Sequence, residues 1–167
     1  IKNKDERVKE AYQVVAYNRG VELFQAEKYA DAEKFFDKVP TYPVNPTVNA
    51  DAKFWKAEIS YRLDDYAKAA QRYAAFINEP GAYTSEFYGI AHYSQGYAYF
   101  KMANAEENME TATSWYNSAN TAFRKYIDGS HGKESKKVSD AAARAGDCFY
   151  VAKNYAQAIL YYDKAVE

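Results

Sequence analysis

The chain has 167 residues and 48% hydrophobic content, which is enough to build the core of one ordinary domain. Its 22 basic and 23 acidic side chains leave a net charge of -1, so charge gives no reason to expect binding to nucleic acid or to an anionic membrane. Cys148 is the only cysteine, which excludes an internal disulfide and a multi-cysteine zinc site, and no apolar run approaches the roughly 20 residues that direct membrane insertion needs.

Small and aromatic residues at helical spacing predict eight helices, arranged as four consecutive pairs. The first helices of the pairs are predicted near residues 5–27, 47–63, 85–103 and 135–152. Their partners are predicted near residues 29–39, 66–78, 113–127 and 155–166. Prolines and glycines mark the connectors, which contain Pro40, Pro43 and Pro46, then Pro80 and Gly81, then residues 128–132. We expect these connectors to separate repeats within a single domain that spans residues 1–167.

The same five positions recur in all four predicted pairs. Each pair has a small residue, an aromatic residue four positions later, then a Tyr, a second small residue, and an aromatic residue four positions beyond that. The four sets are Gly20, Phe24, Tyr29, Ala32, Phe36; Ala57, Tyr61, Tyr66, Ala69, Tyr73; Gly96, Phe100, Tyr116, Ala119, Phe123; and Gly146, Tyr150, Tyr155, Ala158, Tyr162. Residues four apart share one helical face, so we expect the small residues of paired helices to meet, as Gly20 with Ala32 and Gly146 with Ala158.

This pattern resembles the tetratricopeptide repeat, which places Gly or Ala, then Tyr, Ala and an aromatic residue at these relative positions. The similarity covers nearly the whole chain and is strongest at residues 65–70 and 154–158. The resemblance implies an all-α fold, a right-handed α-solenoid of four antiparallel helix pairs at residues 5–39, 47–78, 85–127 and 135–166. The first small residues recur after 37, 39 and 50 residues, whereas about 34 is usual for the family, so longer connectors are expected.

An insertion distinguishes the third pair from the others. Its two small residues are 23 positions apart, against 12 in the other pairs, and the extra residues lie near 104–113. Residues 104–110 are polar and acidic apart from Met109, so we expect a solvated extension of the first helix followed by a longer turn. The alternative is a projecting element that contacts a specific partner.

The resemblance also implies where a partner would bind. Tetratricopeptide arrays are lined on their concave surface by the first helices, so groove positions can be carried over at fixed offsets from the first small residue. These positions hold Tyr17, Phe54, Tyr93 and Ala143 three residues before it; Val21, Glu58, Tyr97 and Asp147 one after it; and Gln25, Arg62, Lys101 and Val151 five after it. Aromatic and Arg anchors dominate the energy of many interfaces. The leading contacts for an extended or helical peptide are therefore Tyr17, Phe54, Arg62, Tyr93 and Tyr97.

The clamp with which some members of this family grip a C-terminal carboxylate is not expected here. It would need Lys or Arg together with Asn at the groove positions, and only Asn18 fits, beside Asp51 and Trp55 in the next repeat. Glu58 and Arg62 give the groove mixed charge, so we expect hydrophobic and shape contacts to dominate.

These patterns predict a non-catalytic interaction module or scaffold that holds a peptide or protein segment in an aromatic-lined groove. The alternative is a structural unit that packs with further repeats or forms a homo-oligomer through its C-terminal helix. That alternative follows from Ile159, Tyr162, Ala165 and Val166, which close the last helix without a polar capping helix. A helical-array enzyme is a third hypothesis and would require a pocket that shifts the pKa of convergent carboxylates.

No catalytic residue, metal or cofactor is predicted. The seven glycines are scattered, and His92 and His131 lack the spacing of a metal site, so they are expected at the groove or surface and in a turn. Cys148 lies on an apolar helical face, where a thiol is usually inert. The adjacent acids at 64–65 and 106–107 fall in predicted turns, where acids favour solvent and helix starts.

The aromatic-rich second helices, at residues 73–77 and 123–127, are similar to repeats of bacterial cell-envelope proteins. That similarity implies a periplasmic or envelope location in preference to the cytoplasm. The chain starts at Ile1 without Met and stops inside a predicted helix, so we expect a fragment of a longer protein.

Overall fold

The computed structural model describes residues 3–129 and 134–167, which are all-helical, with 82% helix and no strand among them. The eight helices are α1 (Lys4–Gln25), α2 (Tyr29–Phe36), α3 (Pro46–Arg62), α4 (Tyr66–Ile77), α5 (Tyr88–Ala105), α6 (Met109–Asp128), α7 (Ser135–Val151) and α8 (Tyr155–Val166). Two short 3-10 helices occupy connectors, at Val39–Thr41 and Ala82–Thr84. The predicted helices are thus confirmed, and they pack in neighbouring pairs.

The helix ends differ from the predictions by up to four residues. The second helix ends at Phe36 rather than near residue 39, because the chain turns into the 3-10 helix that contains Pro40. The fifth helix begins at Tyr88 rather than near residue 85, because Ser85 follows the other 3-10 helix in extended conformation. Most of the third predicted connector, including His131, lies outside the described residues.

The chain divides into two compact units, Ile1–Phe87 and Tyr88–Glu167. In the first, α1 packs against α2, α3 packs against α4, and α3 also contacts both α1 and α2. In the second, α6 packs against both α5 and α7, and α7 packs against α8. The prediction that residues 1–167 form a single domain stays a prediction.

Three of the hairpin turns have the same backbone structure. Their middle residues have a left-handed backbone, with φ of 60° at Glu27 and 59° at Asp64 and Lys153. In the first turn, the amide of Lys28 donates to the carbonyl of Leu23 at 2.9 Å, and equivalent hydrogen bonds close the other two. This hydrogen bond between residues five apart ends a helix with its last carbonyls satisfied.

A ring of the second helix lies directly on the glycine of the first helix. A methyl group at Gly20 would lie 2.6 Å from Phe36 Cε1, and one at Gly146 would lie 2.6 Å from the Tyr162 ring. The same relationship holds for Gly96 and Phe123. The atoms nearest to a methyl group at Gly20 belong to the ring of Phe36, one helical turn beyond Ala32, and the expected meeting of Gly20 with Ala32 stays a prediction.

The other two recurring aromatic positions also meet in every pair. The aromatic residue four positions after the first small residue contacts the Tyr that begins the second helix. The ring centroids are 5.4 Å apart for Phe24 and Tyr29, 5.2 Å for Tyr61 and Tyr66, 5.6 Å for Phe100 and Tyr116, and 5.9 Å for Tyr150 and Tyr155. The five-position sequence pattern therefore corresponds to one recurring packing arrangement.

The insertion in the third pair lengthens both helices and leaves the turn at three residues, 106–108. Relative to the other pairs, α5 gains about one helical turn and α6 gains about two. The expected longer turn is therefore absent. Ala103 and Ala112 are buried in the extension, so the two helices pack against each other there, whereas Met109 at the start of α6 is 78% exposed.

Candidate functional site

Two tyrosines on α5 share one carboxylate on α7. The hydroxyl of Tyr93 donates a hydrogen bond of 2.9 Å to Asp140 Oδ2, and the hydroxyl of Tyr97 donates to the same oxygen. The rings are also in edge-to-face contact, with centroids 5.1 Å apart. Burial, together with the Asp140 hydrogen bond and charge, raises the pKa of Tyr93 to about 12 and raises that of Tyr97 as well. Both hydroxyls therefore remain protonated donors at neutral pH.

Arg144 links this carboxylate to a second one on the same helix. Its Nη1 donates to Asp147 Oδ2 at 2.7 Å, and its Nε lies 3.8 Å from Asp140 Oδ1. The guanidinium also lies 5.7 Å from the centre of the Phe100 ring on α5. The side chains of Asp140, Arg144 and Asp147 are each about one-third exposed, so the network remains open to solvent. We call Tyr93, Tyr97, Asp140 and Arg144 the α5–α7 face.

The first compact unit has a corresponding surface on α1 and α3. The indole Nε1 of Trp55 donates a hydrogen bond of 2.9 Å to the Tyr17 hydroxyl, and the Trp55 ring lies 4.9 Å from that of Phe24. The exposed guanidinium of Arg62 lies 5.6 Å from the centre of the Phe24 ring. Val21 packs against the core cluster to which Phe24 belongs. We call Tyr17, Val21, Trp55 and Arg62 the α1–α3 face.

Acidic groups border the α1–α3 face. Asp51 Oδ1 accepts a hydrogen bond of 2.5 Å from the Ser85 hydroxyl. Burial raises the pKa of Asp51; the Ser85 hydrogen bond lowers it and the charge of Glu86 raises it further. Burial also raises the pKa of Tyr17 to about 12, against the effect of the Trp55 hydrogen bond and with that of the Asp51 and Glu86 charges.

Two of the predicted groove residues make contacts within the first compact unit. Phe54 is only 5% exposed and stacks on Phe87 with ring centroids 4.4 Å apart. Glu58 Oε1 accepts a hydrogen bond of 2.5 Å from the hydroxyl of Tyr73, which is fully buried. Burial raises the pKa of Glu58, although the Tyr73 hydrogen bond and the charge of Arg62 act in the opposite direction. Phe54 and Glu58 therefore stabilise the first compact unit.

The structure thus brings the predicted residues together in two sets, one in each compact unit. The α1–α3 face contains the predicted Tyr17, Val21 and Arg62. The α5–α7 face contains the predicted Tyr93 and Tyr97, and exposed Lys101 lies one turn beyond Tyr97. The sequence patterns did not predict Asp140 and Arg144 as partners of the tyrosines. A usable signal was present, because Asp51 and Asp140 both stand six residues before the first small residue of their pair.

Residues often used in catalysis or metal binding are dispersed in the described ranges. No group of three or more His, Cys, Asp and Glu side chains that could hold a metal ion occurs among residues 3–129 and 134–167. Cys148 is 1% exposed, and burial with the nearby Asp147 charge raises the pKa of its thiol to about 12, against the effect of Arg144. His92 is buried on α5 with its ring edge-on to Tyr88, which corrects its expected position at the groove or surface.

What the two faces offer a ligand is aromatic surface, hydrogen-bonding groups and charges of both signs. Neither a protein-family model nor a curated protein matches the chain. Within the described ranges, every helix is too short or too polar to cross a lipid bilayer.

Proposed function

We propose that this chain is a non-catalytic protein-interaction module built from tetratricopeptide-like helix pairs of the right-handed α-solenoid class. The aromatic contact that recurs in all four pairs and the glycine–ring contact of the first, third and fourth pairs support this proposal. The partner is a peptide or protein segment that binds along the first helices. The proposal assigns the α5–α7 face as the leading contact surface and the α1–α3 face as the second.

One observation carries the choice of the α5–α7 face. Tyr93 and Tyr97 are half-buried, and their hydroxyls are held by one carboxylate, so the rings are oriented before any partner arrives. Aromatic and Arg side chains supply much of the binding energy at protein interfaces, and groups that are already ordered lose less entropy on binding. Two tyrosines beside Arg144 therefore form a pre-organised anchor for a side chain of the partner.

The nature of the contacts follows from the charges. On the α5–α7 face, Arg144 lies between two aspartates. On the α1–α3 face, exposed Arg62 lies over the Phe24 ring, and the acidic Asp51 and Glu86 lie near Tyr17. Mixed charge of this kind favours specificity over strong electrostatic attraction. We therefore expect apolar or aromatic side chains in the partner segment, with polar groups at its edges.

Peptide selection tests the proposal. Linear peptides from a random display library would be selected on the immobilised chain, and their dissociation constants measured by fluorescence anisotropy. The double variant Tyr93→Ala, Tyr97→Ala is expected to weaken binding of selected peptides by roughly thirtyfold, the effect of a hot spot worth about 2 kcal/mol. Circular dichroism would verify that the variant remains helical.

Tyr83→Ala is the matched control, because Tyr83 is an aromatic residue that is 66% exposed and belongs to neither proposed face. It should bind selected peptides as tightly as the wild type does. Failure to select any peptide, or equal affinity of the double variant and the wild type, would contradict the proposed surface. A turnover activity that Asp140→Ala abolishes would contradict the non-catalytic role.

The second candidate function is structural self-assembly. The observation that favours it is the apolar surface of α8, where Tyr155, Ile159, Leu160 and Val166 are between 46% and 85% exposed. Apolar surface that repeat proteins leave uncovered commonly marks a packing interface. A cell-envelope location is also proposed, from the resemblance alone, and fractionation of cells that express the protein would test it.

A further inference from the structure

One stripe of α8 is apolar and uncovered. Tyr155, Ile159, Tyr162 and Val166 follow one another at spacings of four, three and four residues, which places them on one side of the helix. Tyr155 is 56% exposed, Ile159 62% and Val166 85%, whereas Tyr162 is partly covered. We call these four residues the α8 stripe.

The equivalent stripe of α6 lies between α5, on which Tyr116 and Phe123 pack, and α7. At the same positions relative to the second small residue, α6 carries Tyr116, Asn120, Phe123 and Ile127, all buried or half-buried. The helix packs against α7, and Tyr116 and Ile127 contribute to the core cluster that contains Ala141 and Ala145 of that helix. The α8 stripe therefore matches a surface that, within the same compact unit, accepts the first helix of the following pair.

The two helices of that interface run antiparallel. Tyr116 lies in the first half of α6, and its pKa is raised by burial and by the nearby Cys148 and Asp147, which lie near the end of α7. The first half of α6 therefore meets the end of α7, and this sets the register expected at an equivalent interface.

The first compact unit exposes a surface that matches the side of α7 facing α6. Val8, Tyr12 and Val15 of α1 are 58%, 39% and 65% exposed and lie on one side of the helix, at spacings of four and three residues. Relative to the first small residue, Tyr12 and Val15 occupy the positions of Val138 and Ala141, which pack in the core cluster of the second compact unit. We call Val8, Tyr12 and Val15 the α1 stripe.

We infer that the α1 stripe of one copy of the chain packs against the α8 stripe of a second copy, as α7 packs against α6. The inference rests on the second candidate function, self-assembly, and specifies its geometry. In the antiparallel register, Ile159 meets Val15 and Val166 meets Val8, so apolar side chains cover each other. The polar end of Tyr155 meets the part of α1 that carries exposed Arg19 and Glu22.

A second copy of the chain supplies a matching surface for each stripe. Pairing of α8 with α8 would leave the α1 stripe uncovered, and a foreign helix on α8 would do the same. An interface between two different surfaces adds copies head to tail and does not stop at a dimer unless the geometry closes a ring.

Sedimentation velocity from micromolar to millimolar concentration tests the inference. The wild-type chain is expected to form species larger than a dimer as concentration rises. Ile159→Glu and Val15→Glu each place a charge in the interface and should each weaken self-association by at least about tenfold. Matched controls are Leu160→Glu and Val14→Glu, which change exposed apolar neighbours outside the two stripes and should associate as the wild type does.

Mixing the two stripe variants separates head-to-tail packing from other modes. The Val15→Glu chain keeps an intact α8 stripe and the Ile159→Glu chain keeps an intact α1 stripe, so an equimolar mixture should form a one-to-one dimer that does not grow further. Undiminished self-association of Val15→Glu would overturn the proposed packing of the α1 stripe on the α8 stripe but would not contradict self-assembly as such. A wild-type chain that stays monomeric at every concentration would overturn both.

Discussion

The hydroxyl of Tyr73 on α4 donates a hydrogen bond of 2.5 Å to Glu58 Oε1 on α3, one residue beyond the small residue of that helix. The last pair contains the same contact, a hydrogen bond of 2.8 Å from Tyr162 to Asp147 Oδ1. In the first and third pairs the ring is Phe, and the position of the acid holds Val21 or Tyr97. The hydroxyl thus occurs where an acceptor is present, because a buried hydroxyl without a partner costs free energy.

This relationship predicts the effect of adding a hydroxyl to the first pair. Phe36→Tyr would place a buried hydroxyl beside Val21, and we expect it to lower the free energy of unfolding by about 1–3 kcal/mol. Adding Val21→Glu in the same chain should recover part of that loss by supplying an acceptor. Urea denaturation of the two single variants and the double variant measures the coupling, and additive effects would contradict the prediction.

The pH dependence of stability should change at Glu58. Burial raises the pKa of Glu58 in the folded chain above 4.5, its ordinary value, so the folded chain binds more protons than the unfolded chain in the interval between the two pKa values. Stability that depends on this carboxyl is therefore greatest at low pH and declines as pH rises through that interval. Glu58→Gln keeps an acceptor for Tyr73 and removes the titration, so its free energy of unfolding should rise relative to that of the wild type as pH increases from below 4.5 through the folded pKa.

Tyr73→Phe serves as the opposing variant for that experiment. The Tyr73 hydrogen bond lowers the pKa of Glu58, so losing it should raise that pKa further and steepen the decline of stability with pH. Urea denaturation across the pH range would compare the three chains. If the free energy of unfolding changed with pH equally in all three chains, Glu58 would not contribute to the pH dependence of stability.

Two glycines should differ in their tolerance of a methyl group. At Gly20 the methyl would meet the ring of Phe36 at 2.6 Å, and we expect Gly20→Ala to cost about 1–3 kcal/mol because the ring must move. At Gly81 it would meet the backbone oxygen of Pro46 at 2.0 Å, and backbone cannot rotate away, so Gly81→Ala should cost more. Thermal unfolding ranks the two variants, and Phe36→Leu should reduce the cost at Gly20 but not at Gly81.

Replacing the left-handed residue of a hairpin turn with glycine should stabilise the chain. Lys153 has φ of 59°, a conformation that is unfavourable for residues with a Cβ atom and costs glycine nothing. We expect Lys153→Gly to raise the free energy of unfolding by up to about 1 kcal/mol. Lys153→Ala removes the rest of the side chain but keeps Cβ, so it should not raise the free energy of unfolding. An increase equal to that of Lys153→Gly would show that the effect comes from losing the lysine side chain and not from the backbone conformation.

Much of the helical framework could be predicted because its causes are local. Residues at helical spacing specify the packed face of each helix. A glycine on one helix and an aromatic residue on the next, such as Gly20 and Phe36, mark where the two helices meet. The insertion shows where this approach stops. Its polar sequence correctly indicated exposed residues at 104–110, but the longer turn expected there is absent. Ala103 and Ala112 flank those residues and pack the two lengthened helices together, and that packing depends on how the two helices face each other.

The candidate faces were less predictable, because a groove position indicates which side of the helix a residue lies on but not which residues it contacts. Phe54 and Tyr93 occupy equivalent positions, three residues before a small residue. Phe54 stacks on Phe87 and is buried, whereas Tyr93 remains half-exposed with its hydroxyl on Asp140. The partners lie 33 and 47 residues away in sequence, and no local pattern identifies them.

By itself, the sequence determined the number of helices, their pairing along the chain and the five positions that recur, because periodicity and short hairpins depend on residues close together in the chain. Only the tertiary structure decided which aromatic rings are core and which remain open, and that Asp140 holds two tyrosines at once. Those outcomes depend on contacts between distant helices, where the space left by one side chain and the hydrogen bonds required by another are settled together.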